Sequence, residues 1–207
     1  MGQYYKAITI DGGNIKVYCP QSAVFMTKSG LARIDYQDER SDEFWRLFSG
    51  LKLMEHAWAK NDFVNGVVES IWDSPKNVAW VGDYADEMCD FRNGYTQYTY
   101  KSVWDNDENE SPFDEVPKVH MKGYLVNITK GEYIDLAKHY EQSRTDDGWH
   151  IHPLPLLTAI GNGRGGGDYD GTNMDKVGSW AIDLIMFTEF EPEGVSDLSG
   201  ITFIEGR

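Results

Sequence analysis

Gln3-Tyr4-Tyr5-Lys6-Ala7-Ile8-Thr9-Ile10-Asp11-Gly12-Gly13-Asn14-Ile15-Lys16-Val17-Tyr18-Cys19 is the stretch on which the fold turns. Residues 3–10 and 15–19 are rich in side chains that favour extended backbone, and Asp11-Gly12-Gly13-Asn14 between them carries strong turn chemistry. Tyr5 and Ala7 alternate with Lys6 and Ile8, so the spacing predicts a strand with one buried face. The chain therefore opens as a β-hairpin, the unit from which antiparallel sheets are built.

Working outward, residues 20–40, with Gly30 and a mixed charge run, read as an irregular connection. Ser41-Asp42-Glu43 then gives an N-terminal helix signal, and Phe44, Leu47, Phe48, Leu51, Met54 and Trp58 recur every three or four residues. Asn61 is placed to cap a second helix carrying Phe63, Val64, Val67, Val68 and Ile71, with Pro75 beyond its end. Val78-Ala79-Trp80-Val81, bounded by Pro75 and Gly82, suits an interior strand. Asp105, Asp107, Glu108, Glu110, Asp114 and Glu115 fall in an acidic loop spanning about 101–117. A second hairpin is expected at Tyr124-Leu125-Val126-Asn127 and Glu132-Tyr133-Ile134-Asp135, joined through Thr129-Lys130-Gly131. Residues 177–187 read as one long strand and Ile201-Thr202-Phe203-Ile204 as another. Ile204-Glu205-Gly206-Arg207 also matches a protease-recognition tag.

The chain has 207 residues with 41% hydrophobic and 26% charged side chains, enough for one core and too apolar for wholesale disorder. No tandem repeat or linker divides it. The expectation is a single α+β domain over residues 1–207, its sheet mostly antiparallel with two or more helices packed on it.

A net charge of −15 excludes the basic field that drives nonspecific nucleic-acid binding, so no direct nucleic-acid partner is expected. The same charge would suit a basic protein partner, although acidity more often serves solubility. Cys19 and Cys89 are too few for a disulfide scaffold and match no zinc spacing, which favours a reducing compartment. No apolar leader follows Met1, and no stretch approaches the ~18 apolar residues of a membrane span. Cytoplasmic residence without membrane contact is the expectation.

The chemistry concentrates in Gly161-Asn162-Gly163-Arg164-Gly165-Gly166-Gly167-Asp168. Five glycines around one arginine reach backbone angles closed to other residues, gathering N–H groups into a concave anion site with the Arg164 fork above it. The string is no Walker loop, because Gly-Lys-Ser/Thr does not follow, and its spacing is wrong for a dinucleotide fingerprint. The competing reading is a tight turn in which Arg164 pairs with Asp83 or Asp183 and ties two strands together. Asp168 and Asp170, with Asp83, Asp86 and Glu87, would repel a bare anion but could hold a divalent cation that bridges to a phosphate. Asp168-x-Asp170-Gly171-x-Asn173 is only a fragment of a calcium loop, so no metal ligand set is assigned.

Elsewhere the signals are bland. His150-x-His152 would share one side of a strand, without a third ligand, and reads as a structurally bonded or exposed pair. Glu55-His56 lacks the second histidine of a zincin, and no Gly-x-Ser-x-Gly elbow is present. Trp58, Trp80 and Trp180 read as core side chains.

Several strings resemble an uncharacterised group of phage and bacterial proteins that open with a segment like Met1-Gly2-Gln3-Tyr4-Tyr5. They are Leu51-Lys52-Leu53-Met54-Glu55-His56, Trp80-Val81-Gly82-Asp83-Tyr84-Ala85-Asp86, Tyr124-Leu125-Val126-Asn127, Pro153-Leu154-Pro155-Leu156-Leu157-Thr158-Ala159, the glycine-rich loop, and Gly178-Ser179-Trp180-Ala181-x-Asp183. The resemblance implies relatives and no activity. A more distant set carries the Gly-Asp-Tyr-Ala-Asp string after the Trp-Ala-x-Asp string, which implies that residues 78–83 lie beside 177–185. That set also implies Gly and Arg where this chain has Ile182 and Leu184.

The leading functional expectation is a small-molecule binding protein. Gly161, Asn162, Gly163, Arg164, Gly165, Gly166, Gly167 and Asp168 would grip an anionic, nucleotide-like ligand, while Asp83 and Asp183 orient Arg164 or read other ligand groups. The phage kinship implies sequestration of a host signalling nucleotide as its setting. Two other classes stay open: a metal-dependent hydrolase built on the aspartates, and an acidic protein that blocks a basic surface through residues 105–115. The sequence assigns no catalytic residue, cofactor or oligomeric state.

Overall fold

The computed structural model describes residues 4–12, 14–19, 22–27, 30–35, 52–83, 85, 91–93, 96–98, 110–112, 117–161 and 169–204. The opening hairpin forms as expected. Strand β1 (Tyr5–Asp11) pairs antiparallel with β2 (Asn14–Cys19), Ile8 opposite Val17 and Ile10 opposite Ile15. Residues 20–40 depart from expectation, because β3 (Ser22–Thr27) and β4 (Gly30–Asp35) form a hairpin of their own. Val24-Phe25-Met26 and Leu31-Ala32-Arg33-Ile34 are strand formers, and Gly30 begins the second strand opposite Thr27.

Helix α1 is confined to Leu53–His56 among the described residues, since the chain turns at Ala57 and Trp58 bridges to Ile151 instead of continuing the helical stripe. Helix α2 (Asp62–Ser70) starts as expected, the Asn61 side chain accepting the Phe63 N–H at 2.7 Å. Its Phe63, Val64, Val67 and Val68, followed by Ile71, are buried. At about 2 kcal/mol each, these five side chains contribute on the order of 10 kcal/mol, which outweighs the helix-breaking tendency of Gly66.

Strand β5 (Lys76–Gly82) is the spine of the main sheet, pairing antiparallel with β1 from Asn77 to Gly82. On its other side it meets two partners in turn: β12 (Leu184–Thr188) runs antiparallel beside its beginning, and β11 (Ala159–Ile160) runs parallel beside Trp80 and Val81. Beyond β12 lies the second expected hairpin, β9 (Tyr124–Asn127) and β10 (Glu132–Asp135). Two parallel edges complete the sheet: β13 (Ser196–Asp197) on β10 and β8 (Glu110–Pro112) on β2. Residues 110–112 of the expected acidic loop are thus a strand. A small hairpin, β6 (Phe91–Asn93) with β7 (Thr96–Tyr98), stands apart. Helices α3 (Leu136–Gln142) and α4 (Pro153–Leu157) complete an α+β fold whose main sheet is mostly antiparallel.

Period-two alternation divides the interior. Tyr5, Ala7, Val78 and Trp80 face the large cluster containing the helices, whereas Ile8, Ile10, Ala79 and Val81 face a smaller cluster with Val17 and Ile160. Among the described residues no helix is long and apolar enough to cross a membrane.

The long strand expected over residues 177–187 is corrected to a run of turns followed by a short strand. Backbone bonds from Ser179 to Lys176, Ala181 to Gly178 and Asp183 to Trp180 curl the chain before β12 begins at Leu184. Gly178 has φ +76° and Ile182 φ +66°, angles that no strand contains. Ile201-Thr202-Phe203-Ile204 is likewise no strand. Its backbone is held by the side chains of Thr172, Asn173 and Ser143 instead of a neighbouring ladder.

Candidate functional site

The glycine-rich loop leaves the sheet at a defined place. Strands β5 and β11 are parallel, so Gly82-Asp83 and Gly161 emerge together at their carboxyl ends. Residues 162–168, including Arg164, lie outside the described residues. Both ends of the loop are anchored. On the entry side the Trp80 N–H donates to the Thr158 carbonyl, and Ile160 is buried opposite Val81. On the exit side Tyr169 is buried against Phe203, its hydroxyl donating to the Thr172 carbonyl at 2.6 Å.

Asp83 stands at the same end. Its N–H donates to the Tyr4 carbonyl at 2.8 Å, and its Oδ1 accepts the Tyr4 N–H at 3.0 Å. Tyr4, 36% exposed, bridges on its far side to Lys52, so a phenol ring and a lysine also belong to this end of the sheet. Sequence reasoning passed over both. Their only signal was position, Tyr4 preceding the strand that pairs with β5.

Asp183 belongs elsewhere. It lies opposite Val78, whose N–H donates to the Asp183 carbonyl, and is therefore five residues back along β5 from Asp83. At about 3.3 Å per residue the two aspartates are some 16 Å apart along the strand, too far for one guanidinium to reach both. The Asp183 carboxylate is also engaged: Oδ2 accepts from Asn127 Nδ2 at 2.8 Å and lies 3.7 Å from Lys130 Nζ. Lys130 donates as well to the Ser179 carbonyl, and Thr129 Oγ1 accepts the Leu184 N–H. The β9–β10 turn thus clamps the turns ahead of β12.

The other strings converge on these same turns. Gly178 and Trp180 donate their N–H groups to the carbonyls of Leu156 and Leu157. A Cβ on Gly178 would stand 2.6 Å from the Ala159 carbonyl oxygen, so this close approach requires glycine. Trp180 is buried and donates Nε1 to Glu132 Oε2 at 2.8 Å. Of the expected adjacency between 78–83 and 177–185, only the start is present: residues 76–78 lie beside 182–185, while Trp80 and Val81 pair with β11. Ile182, where the resemblance implied glycine, holds a left-handed angle that a β-branched side chain tolerates poorly.

The histidines are structural. Buried His56 donates Nε2–H to the Tyr5 carbonyl at 3.0 Å, and burial lowers its pKa to about 4. Buried His139 donates Nδ1–H to the Ile201 carbonyl at 3.0 Å; desolvation brings its pKa to about 4 although nearby carbonyls favour the charged ring. His152 caps α4, its Nδ1 accepting the Leu154 N–H at 3.2 Å, and complete burial drives its pKa well below the usual range. Trp58, Trp80 and Trp180 are buried, as the core reading expects. Among the described residues no three His, Cys, Asp or Glu side chains are grouped to hold a metal ion. No family profile, curated protein or solved structure matches this chain.

Proposed function

We propose that this protein binds a small anionic ligand, a phosphate-bearing molecule of the nucleotide type, in the loop 161–168. The observation that carries the reading is the place from which the loop departs: the carboxyl ends of the parallel pair β5 and β11, beside Asp83. Ends of parallel strands are where loops are free to shape a ligand crevice over a rigid sheet. The anchors at Ile160 and Tyr169 support the same reading, because they fix both ends of the loop to the sheet and its neighbouring turns. In this arrangement the glycine amides and the Arg164 fork take the phosphate. Asp83 orients the arginine, and Tyr4 offers a ring to the rest of the ligand. Asp183, committed to Asn127 and Lys130, is left out of the binding set.

Isothermal titration with inorganic phosphate and a panel of mono-, di- and cyclic nucleotides tests the proposal. Binding by at least one of them is expected, weakened tenfold or more in Arg164→Ala and retained in Asp183→Asn. A panel without any binder, or binding unchanged in Arg164→Ala, overturns it.

A further inference from the structure

A second group of polar side chains lies away from the loop, where helix α3, the hairpin of residues 143–151 and the start of α4 meet. The Tyr140 ring is surrounded by three imidazoles, with centroids 5.9 Å from His139, 5.6 Å from His150 and 6.0 Å from His152. Tyr140, His139 and His152 are buried, yet the Tyr140 hydroxyl, His139 Nε2, His152 Nε2 and His150 Nδ1 have no hydrogen-bond partner among the described residues. An unpartnered buried polar group costs about 1–3 kcal/mol, so four clustered around one ring demand an explanation.

The protonation states define what could satisfy them. His152 Nδ1 accepts from Leu154, so in the neutral ring Nε2 carries the hydrogen and is a donor. Burial holds the Tyr140 hydroxyl in its protonated form, able both to donate and to accept. The buried rings are neutral, so an anion finds no charge here to pair with. A metal is disfavoured because among the described residues no three His, Cys, Asp or Glu side chains are grouped to hold one, and His152 Nε2 bears a hydrogen rather than a lone pair. What fits is a small, neutral molecule that gives and receives hydrogen bonds.

We infer that this junction is an internal hydration site, with at least one water bridging the Tyr140 hydroxyl and His152 Nε2–H. The water accepts from His152 and exchanges a bond with Tyr140, leaving a further hydrogen for the neighbouring His150 Nδ1. That gives it the roughly three bonds a buried water usually makes. The site would join α3 to α4 through solvent in place of a direct side-chain bond.

The test uses the full chain. In NMR spectra of the wild-type protein at neutral pH, the His152 Nε2–H and Tyr140 hydroxyl protons should show cross-peaks to a long-lived water, and these should disappear from His152 in Tyr140→Phe. That variant keeps the ring and removes only the hydroxyl, so its urea midpoint should fall. A dry junction behaves oppositely: both protons lack a water cross-peak, and removing an unsatisfied hydroxyl raises the midpoint. Either of those two results overturns the inference.

Discussion

Acidification should unfold this protein through its buried histidines before its carboxylates take part. An unfolded histidine titrates near 6.5, whereas His56 and His139 in the folded chain accept a proton only near pH 4. Between those values the unfolded state binds more protons, so the stabilisation is complete above about pH 6.5 and is lost as the pH falls toward 4. At pH 5 the loss amounts to about 2 kcal/mol for each of these rings, growing to about 3 kcal/mol near pH 4. His56 and His139 together remove about 4 kcal/mol at pH 5, and His152, which burial shifts in the same direction, adds to the loss. That is a large part of the 5–15 kcal/mol typical of a domain. Relief of repulsion among the net negative charges acts the other way, but it is spread over the surface and screened within about 8 Å at physiological salt. Urea unfolding at intervals from pH 8 to pH 4.5 measures the balance. The midpoint should be flat above pH 7 and fall steeply below 6. In His56→Gln, whose amide can still donate to the Tyr5 carbonyl, overall stability drops but the loss between pH 7 and pH 5 shrinks by about 2 kcal/mol. A midpoint that holds or rises between pH 7 and pH 5, or a slope unchanged in His56→Gln, would refute the reasoning.

Backbone geometry supplies two further expectations. Ile182→Gly relieves a left-handed β-branched residue worth about 1–2 kcal/mol while losing a half-buried side chain, so stability should change by less than about 1 kcal/mol. Ile185→Ala, at a fully buried position, should cost about 3 kcal/mol in the same urea titration, and equal losses in the two variants would dismiss the strain. Gly178→Ala drives a methyl against the Ala159 carbonyl and should cost more than about 2 kcal/mol. Gly131→Ala, at φ +64° in open space, should cost only about 1 kcal/mol, and parity between these alanines would mean that the close approach is unimportant.

The elements legible in the sequence were those whose pattern and punctuation agreed. β1 with β2 and β9 with β10 each pair two runs of strand formers across a turn with the right residues, and α2 combines an apolar stripe with the Asn61 cap. The failures share a cause, which is that tertiary bonds replaced local signals. Residues 177–187 looked like a strand because Ile182 hides a left-handed turn that glycine would have announced. Ile201-Thr202-Phe203-Ile204 has strand composition, yet its partners are the side chains of Thr172, Asn173 and Ser143, which no periodicity reveals. β11 and β13 are two residues long, too short to carry a pattern. For the candidate site, the sequence named Asp83 and Asp183 together, and no local signal told that the Asp183 carboxylate is engaged by Asn127 and Lys130. The polar group around Tyr140 was half visible, in His150-x-His152. Only the folded chain brings α3 alongside.

The strings that stand out in the sequence sort themselves by what the fold asks of them. Asn127 holds Asp183, Gly178 gives Ala159 room, and Leu156 and Leu157 receive the N–H groups of Gly178 and Trp180. These residues serve the packing of the turns before β12, so a binding role has to rest on the loop 161–168 with Asp83. Arg164→Ala separates that role from a structural one by its effect on melting. A guanidinium that closes on a buried carboxylate costs about 3–5 kcal/mol when removed, which in a chain of this size lowers the melting temperature by roughly 10 °C. An arginine held for a ligand is a surface side chain in the free protein, worth within about 0.5 kcal/mol, or a shift of less than about 2 °C. Because burial of Ile160 and Tyr169 fixes the loop's ends, we expect the small shift by calorimetry. The larger one would make Arg164 part of the scaffold and remove the anion site from this end of the sheet.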